Sequence, residues 1–310
     1  MSDFLTTREL AALLRVKERK VYDLVAAGSL PVRRVTGKLL FPRDEIEIWL
    51  GSRIEDAAAV PNAAPSLAGS DTPRPMVVSG GHDLLLEWVL RESRSGIAAF
   101  LDGALDGLDR AAKGECVAAG LHIPEGDGWP EGDACPEGDD WNVNTVAERF
   151  GDAPWVLIEW ARRTRGLVMR TDLARQPRSL RETRGLRFRA RQPEAGSELI
   201  FDKILEREKL RREDFTFAGV DRSESDLALA IAANRADVGL GLEAAARQFD
   251  LNFYPLVVER FDLLIWRKAY FDRQFQMFLK FCGSADFRRK AEELGGYDIS
   301  GFGTVHFNGN

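Results

Sequence analysis

Between Met76 and Trp266 the chain alternates short apolar runs with amphipathic segments, and this alternation restricts its fold more than any other feature. The runs MVV, IAAFL, AAGLHI, WVLIEW, GLVM, LRFRA, FTFAGV, DVGLGL and FYPLVV have the length and composition of strands. Helical spacing fills several of the gaps, over 83–92, 197–210, 225–234 and 243–249. Such alternation demands crossover connections, and so parallel strands covered by helices: an α/β body. A body of this length has room for two lobes, with a ligand cleft at the carboxyl ends of the strands.

A different composition precedes it. Residues 53–75, RIEDAAAVPNAAPSLAGSDTPRP, are rich in Ala and Pro with little apolar periodicity, the makeup of a linker. The expected division is a head over 1–52, a linker over 53–75 and a body over 76–310. Within the body, lobe 1 takes about 76–162 and 262–310, and lobe 2 about 163–261. The net charge of −6 is uneven: residues 1–50 carry +2 and the remainder −8. A basic head on an acidic body puts any polyanion contact on the head.

Several classes are disfavoured. No apolar run approaches the roughly 18 residues of a membrane span, and MSDFLTTREL lacks the basic and apolar regions of a secretion signal. Cys116, Cys135 and Cys282 lie far apart without metal-ligand spacing, as in a reduced compartment. A cytoplasmic protein is expected. The thrice-repeated Pro-Glu-Gly-Asp of residues 124–139 does not follow the ligand order of a calcium loop and is read as a solvated loop. His82 beside Asp83 lacks a nucleophile or metal partner, so no enzyme, metal or cofactor is expected.

The head has its own order. Thr6 or Thr7 caps a first helix whose buried stripe is Leu10, Leu13 and Leu14. A turn at 15–17 leads to a second helix with Val21, Leu24 and Val25 inward. Lys17, Arg19, Lys20 and Tyr22 are left near its start, where a recognition helix meets base edges. Residues 30–42 alternate like a two-stranded wing turning at Thr36-Gly37, with Arg33, Arg34 and Lys38 suited to phosphates. A last helix runs from Arg43 to Leu50. Through LTTRELAALLRV, VYDLVAAGSLP and FPRDEIEIWL, the head resembles the winged helix-turn-helix of the excisionase family, related to MerR-type regulators. The resemblance implies a reader of double-stranded DNA.

The body resembles the periplasmic molybdate-binding-protein domain that is fused to such heads in bacterial one-component regulators. The matching stretches are VVSGGHDLLLEWVL, LDGALDGLDRAAKGECVAAGLHI, RTRGLVM, ANRADVGLGLEAAARQFDLNFYPLVVERFDLLI and, more loosely, RFRARQPEAGSELIFDKIL. This implies a type II periplasmic-binding-protein fold, with crossings near Trp155–Met169 and Tyr254–Trp266. The overall class is α/β, a winged helix-turn-helix followed by a two-lobed binding domain.

The implied ligand site can be carried over turn by turn. The family's Gly-Ser-x-Asp turn is Gly80-Gly81-His82-Asp83 here, and its Gly-Ser turn is Gly103-Ala104, so two hydroxyls are missing. A third turn keeps its hydroxyl as Gly196-Ser197, and the fourth, Thr-His in the family, is Ser225-Asp226. Losing two neutral donors to a dianion costs about 1.5–3 kcal/mol each, and Asp226 adds a like charge. Trp141, Asn142, Arg165, Arg191, Gln192 and Tyr254 match cleft-facing segments. These residues suit a small organic ligand bearing a carboxylate and a cationic or hydroxyl group. The alternatives are a molybdate- or tungstate-responsive regulator, or a DNA-binding accessory protein whose body holds no ligand. A homodimer is expected, since one small head offers few DNA contacts.

Overall fold

The computed structural model describes residues 4–13, 21, 25, 31–35, 38–43, 46, 73–126 and 141–310. The chain separates into two compact units, Met1–Ser66 and Leu67–Asn310.

In the first unit a short strand β1 (Phe4–Thr6) runs into helix α1 (Thr7–Leu13). Of the two threonines, Thr6 is the cap. Its N–H donates to Glu9 Oε2 at 2.8 Å, and the N–H of Glu9 donates back to Thr6 Oγ1 at 3.3 Å, a reciprocal capping box. β2 (Arg33–Val35) and β3 (Lys38–Pro42) pair antiparallel with Val35 opposite Lys38, as the two strands of the expected wing. β1 joins the other edge of β3, pairing Leu5 with Phe41. Leu5, Leu10, Ala11, Val21, Phe41 and Ile46 form the small core.

The second unit is built on a single ten-stranded sheet. Its first lobe has β4 (Val77–Gly80), β5 (Ala98–Phe100) and β6 (Ala118–Leu121) in parallel, with helices α2 (Leu84–Glu92), α3 (Ala104–Lys113) and α4 (Val143–Phe150). Its second lobe has β8 (Arg187–Arg191), β9 (Thr216–Asp221) and β10 (Val238–Leu242) in parallel, with α5 (Gly196–Glu208), α6 (Glu224–Ala232) and α7 (Glu243–Gln248). Two long antiparallel strands, β7 (Trp155–Met169) and β11 (Asn252–Trp266), run through both lobes as a spine. They run where the resemblance places the two crossings, with β11 beginning two residues earlier, at Asn252.

Apolar spacing places no element beyond Trp266, yet this segment forms α8 (Arg267–Tyr270), α9 (Arg273–Cys282), α10 (Ala285–Leu294), β12 (Tyr297–Asp298) and β13 (Val305–Asn308). β13 and β12 lie along β7 at Val156–Ile158 and Arg162–Arg163, and β10 continues on that strand from Arg165 to Met169. The free edge of the spine is thereby covered. Phe275, Phe278 and Phe287 pack with Trp160 in the first lobe's core. Burying aromatic side chains of this size stabilises by about 1.5–3 kcal/mol each.

Candidate functional site

The spine carries charge into the seam between the lobes. Arg163 and Arg165 are two apart on β7 and share a face, and Glu259 on β11 stands opposite Arg163 in the register. All three are fully buried. Arg165 Nε and Nη2 donate to the two oxygens of Glu259 at 2.8 and 3.0 Å. Arg163 donates to Glu259 as well, and lies over the Phe261 ring at 4.1 Å. Burial acts to raise the Glu259 carboxyl, but Arg163 and Arg165 outweigh it and hold the group well below the usual carboxylate range.

The second lobe contributes Glu224, the first residue of α6, whose N-cap is Ser223. Arg165 donates to both Glu224 oxygens, at 3.0 and 3.4 Å, and Arg191 Nη1 donates to Oε1 at 2.6 Å. Burial is again overcome, here by Arg165 and Arg191, and the Glu224 carboxyl is pulled down to about 2. Arg191 also donates to the carbonyls of Asp221 and Arg222. With Asp83, the seam holds three buried arginines and three buried carboxylates. Its fixed charges are balanced.

The first lobe meets these groups through two histidines. Burial, opposed by Glu259, keeps His122 below its ordinary value, so its neutral ring donates Nδ1–H to Glu259 Oε2 at 3.1 Å. His82 Nε2 pairs with Glu87 Oε2, and its Nδ1 accepts the backbone N–H of Glu224, each at 3.3 Å. His82 therefore touches the second lobe directly.

The two turns without hydroxyls are closely filled. A Cβ on Gly81 would stand 2.9 Å from the His122 ring, and one on Gly103 would stand 2.6 Å from the Glu194 carbonyl oxygen. That carbonyl accepts the N–H of Leu105 at 3.1 Å, so a second-lobe backbone group occupies the N-terminus of α3. Gln192 of the second lobe donates to the Asp102 carbonyl, and Arg222 donates to the Asp102 carboxylate at 2.6 Å. The lobes are closed on each other.

Of the expected ligand residues, Arg165, Arg191, Gln192, His82, Gly81 and Gly103 lie at this seam. Ala104 and Asp83 are fully buried. Asp83 is the N-cap of α2: Oδ1 accepts from Leu86 N and Trp160 Nε1, and Oδ2 from Arg163 and Tyr297. Ser197 follows Gly196 at the start of α5, where Gly196 abuts His122, and its buried hydroxyl has no partner. Gln192 Oε1 is likewise unpartnered.

Other expected residues lie elsewhere. The acid facing the arginines is Glu224, not Asp226: α6 opens at Glu224, one residue before the expected start at 225. Asp226 is exposed, and its N–H donates to Ser223 Oγ at 2.9 Å. Ser225 lines a separate cavity of about 510 Å³ with Trp88, Arg247 and Lys290. Trp141 and Tyr254 pack with the second lobe's apolar core. Asn142 is a pin, accepting from Ile123 N at 2.7 Å and donating to Asp262 at 2.8 Å, while Arg260 holds the Trp141 carbonyl. Arg163, Glu224 and Glu259 are not among the residues expected from the sequence. Their signal was charge inside otherwise apolar runs, or beside a turn already singled out.

On the head, Arg33 is exposed and Arg34 and Lys38 lie on the wing strands. Lys17, Arg19, Lys20 and Tyr22 fall outside the described residues. So does most of the Pro-Glu-Gly-Asp loop. Among the described residues no cluster of His, Cys, Asp and Glu could hold a metal ion, and no helix is long and apolar enough to cross a membrane.

A helix-turn-helix unit ahead of a two-lobed binding domain defines a modular protein that combines a DNA-reading head with a periplasmic-binding-protein-like body. The chain belongs to the PBP superfamily, whose domain model matches residues 89–283, and residues 4–53 match a helix-turn-helix domain. It is 21% identical to the uncharacterized protein YvgK of Bacillus subtilis, over 97% of this chain and 96% of that one. A Clostridium pasteurianum protein, described as uncharacterized and encoded 5′ of a 2Fe-2S ferredoxin gene, is 33% identical over 84 residues, 26% of this chain and 74% of its own. Among solved structures, a candidate phosphate ABC transporter substrate-binding protein from Clostridium perfringens, with bound phosphate, shares the fold. Its TM-score is 0.50 and its identity 10%, over 72% of this chain and 98% of that one.

Proposed function

We propose that the protein is a cytoplasmic, homodimeric transcriptional regulator whose affinity for double-stranded DNA responds to a small organic molecule held between the lobes. The head over 1–52 reads DNA through Arg19, Lys20 and the wing. The linker over 53–75 tethers it to the sensing body, which acts by binding and not by catalysis. The observation that carries this reading is the unpartnered, buried hydroxyl of Ser197 at the uncapped start of α5, beside the interlobe seam. A buried hydroxyl with no protein partner beside the seam offers a hydrogen bond to a group held there.

The balanced charges of the seam favour an organic ligand with groups of both signs over molybdate or tungstate. A dianion would meet Glu224 and Glu259 with no hydroxyl at Gly81 or Ala104 to offset them. A second reading, a DNA-binding accessory protein with a ligand-free body, draws on the fact that Arg165 and Arg191 are already paired. The two part on one test. A metabolite screen by thermal shift on the full chain should raise the melting temperature with at least one compound, and that compound should change DNA affinity. A screen without a hit favours the accessory protein.

A further inference from the structure

We propose that Glu224 is a built-in occupant of the cleft's anion position, and that an effector enters by exchanging its own carboxylate for that of Glu224 on Arg165 and Arg191. This deepens the regulatory reading and rests on it only for the effector, not for the occupancy.

Three observations converge on the same few ångströms. First, Arg165 faces Glu224 with two N–H groups at 3.0 and 3.4 Å while Arg191 adds a third at 2.6 Å, the fork geometry with which guanidinium groups take a carboxylate ligand. Second, Arg165 is already matched by Glu259, which binds its Nε and Nη2. Glu224 is therefore a second carboxylate on a guanidinium that has one, and it is the partner supplied by the second lobe. Third, other anion positions along the seam are also filled from within: the Glu194 carbonyl takes the N-terminus of α3, and His82 takes the N–H of Glu224 itself. A group that fits one ligand's place belongs to a site closed by its own chain. Its release needs a competitor of the same charge, and a freed Glu224 would receive a cationic group on that competitor.

The test is chemical rescue of the full chain. Glu224→Ala, purified in sodium formate and exchanged into sodium chloride of equal ionic strength, should lose roughly 10 °C of melting temperature. Formate should restore most of that loss along a saturable curve, and formate should leave the wild type unmoved. Glu224→Gln, which fills the position without charge, should be weakened and not rescued. Folding of Glu224→Ala in formate alone supports the proposal equally. Insolubility in both salts, or a loss that formate does not repair, overturns it. Rescue is read without DNA, so an intact rescue with effector-independent DNA affinity would fault only the regulatory reading.

Discussion

The ring of His122 stands where a side chain on Gly81 would have to go, 2.9 Å from the position of its Cβ. The missing serine of the first turn thus has a steric cause as well as a chemical consequence. His122 is stacked on Phe261 and tied to Glu259, so it cannot swing away without breaking a buried hydrogen bond. Gly81→Ser should therefore destabilise the body by about 1–3 kcal/mol, as overpacking does. His122→Ala should relieve much of that clash, making the pair non-additive in a urea-denaturation cycle. Additive losses would mean that the two positions do not meet.

How far the sequence disclosed this arrangement depends on the residue. The strands and helices up to Trp266 follow from apolar runs and their spacing, because each buries one or both faces locally. The 44 residues after Trp266 do not announce themselves. β12 is two residues long, and its place depends on pairing with Arg162 and Arg163 far away in sequence. The site divides in the same way. Arg165 and Arg191 fall in segments that the resemblance places at the cleft, but Glu224 needs an exact helix start, which spacing fixes only to within a residue or two. Asp83 sits where the sequence places a helix N-cap, but its ties to Trp160, Arg163 and Tyr297 lie far away along the chain. Asn142 is visible as a polar residue in the right segment, and its partner Asp262 is equally remote.

Asp83 joins α2, the spine and the C-terminal segment, since Trp160, Arg163 and Tyr297 all donate to it. Asp83→Ala should cost roughly 3–5 kcal/mol by stranding Arg163 in the interior. Tyr297→Phe, which removes one donor, should cost about 1–2 kcal/mol. Chemical denaturation of both variants checks the order; a larger loss for Tyr297→Phe would contradict it.

Two perturbed carboxyls, Asp262 on the spine and Glu224 at the start of α6, should give opposite pH dependences. Burial, opposed by Arg260 and Asn142, lifts Asp262 to about 6, so the folded state holds that proton more tightly than the unfolded chain does. Its contribution is present below about pH 4 and is lost as pH rises through 6, on the order of 3 kcal/mol. Glu224, at about 2, contributes above its unfolded value near 4.3 and loses that contribution as pH falls toward 2. Relative to wild type, Asp262→Asn should flatten stability between pH 4 and 6, and Glu224→Gln should flatten it below pH 4. Parallel pH profiles for all three proteins would refute the assignment.

On the head, Arg33→Ala or Lys38→Ala should weaken binding to every DNA sequence and reduce the salt slope by about 1. The Arg19→Ala, Lys20→Ala double variant should lose sequence preference while keeping nonspecific binding. Fluorescence anisotropy over a salt series, on a selected duplex and a scrambled one, separates the two effects. Undiminished preference in the double variant would remove those residues from the base-reading role.

The most direct measurement of the whole account couples the two units. The full chain is titrated against a labelled duplex that it has itself selected from a random pool, at fixed ionic strength, with and without the compound that most raises its melting temperature. The dissociation constant should move by about fivefold or more, the range of ordinary allosteric coupling, and Glu224→Ala should change that response. A compound that stabilises the body while the dissociation constant stays fixed would contradict it.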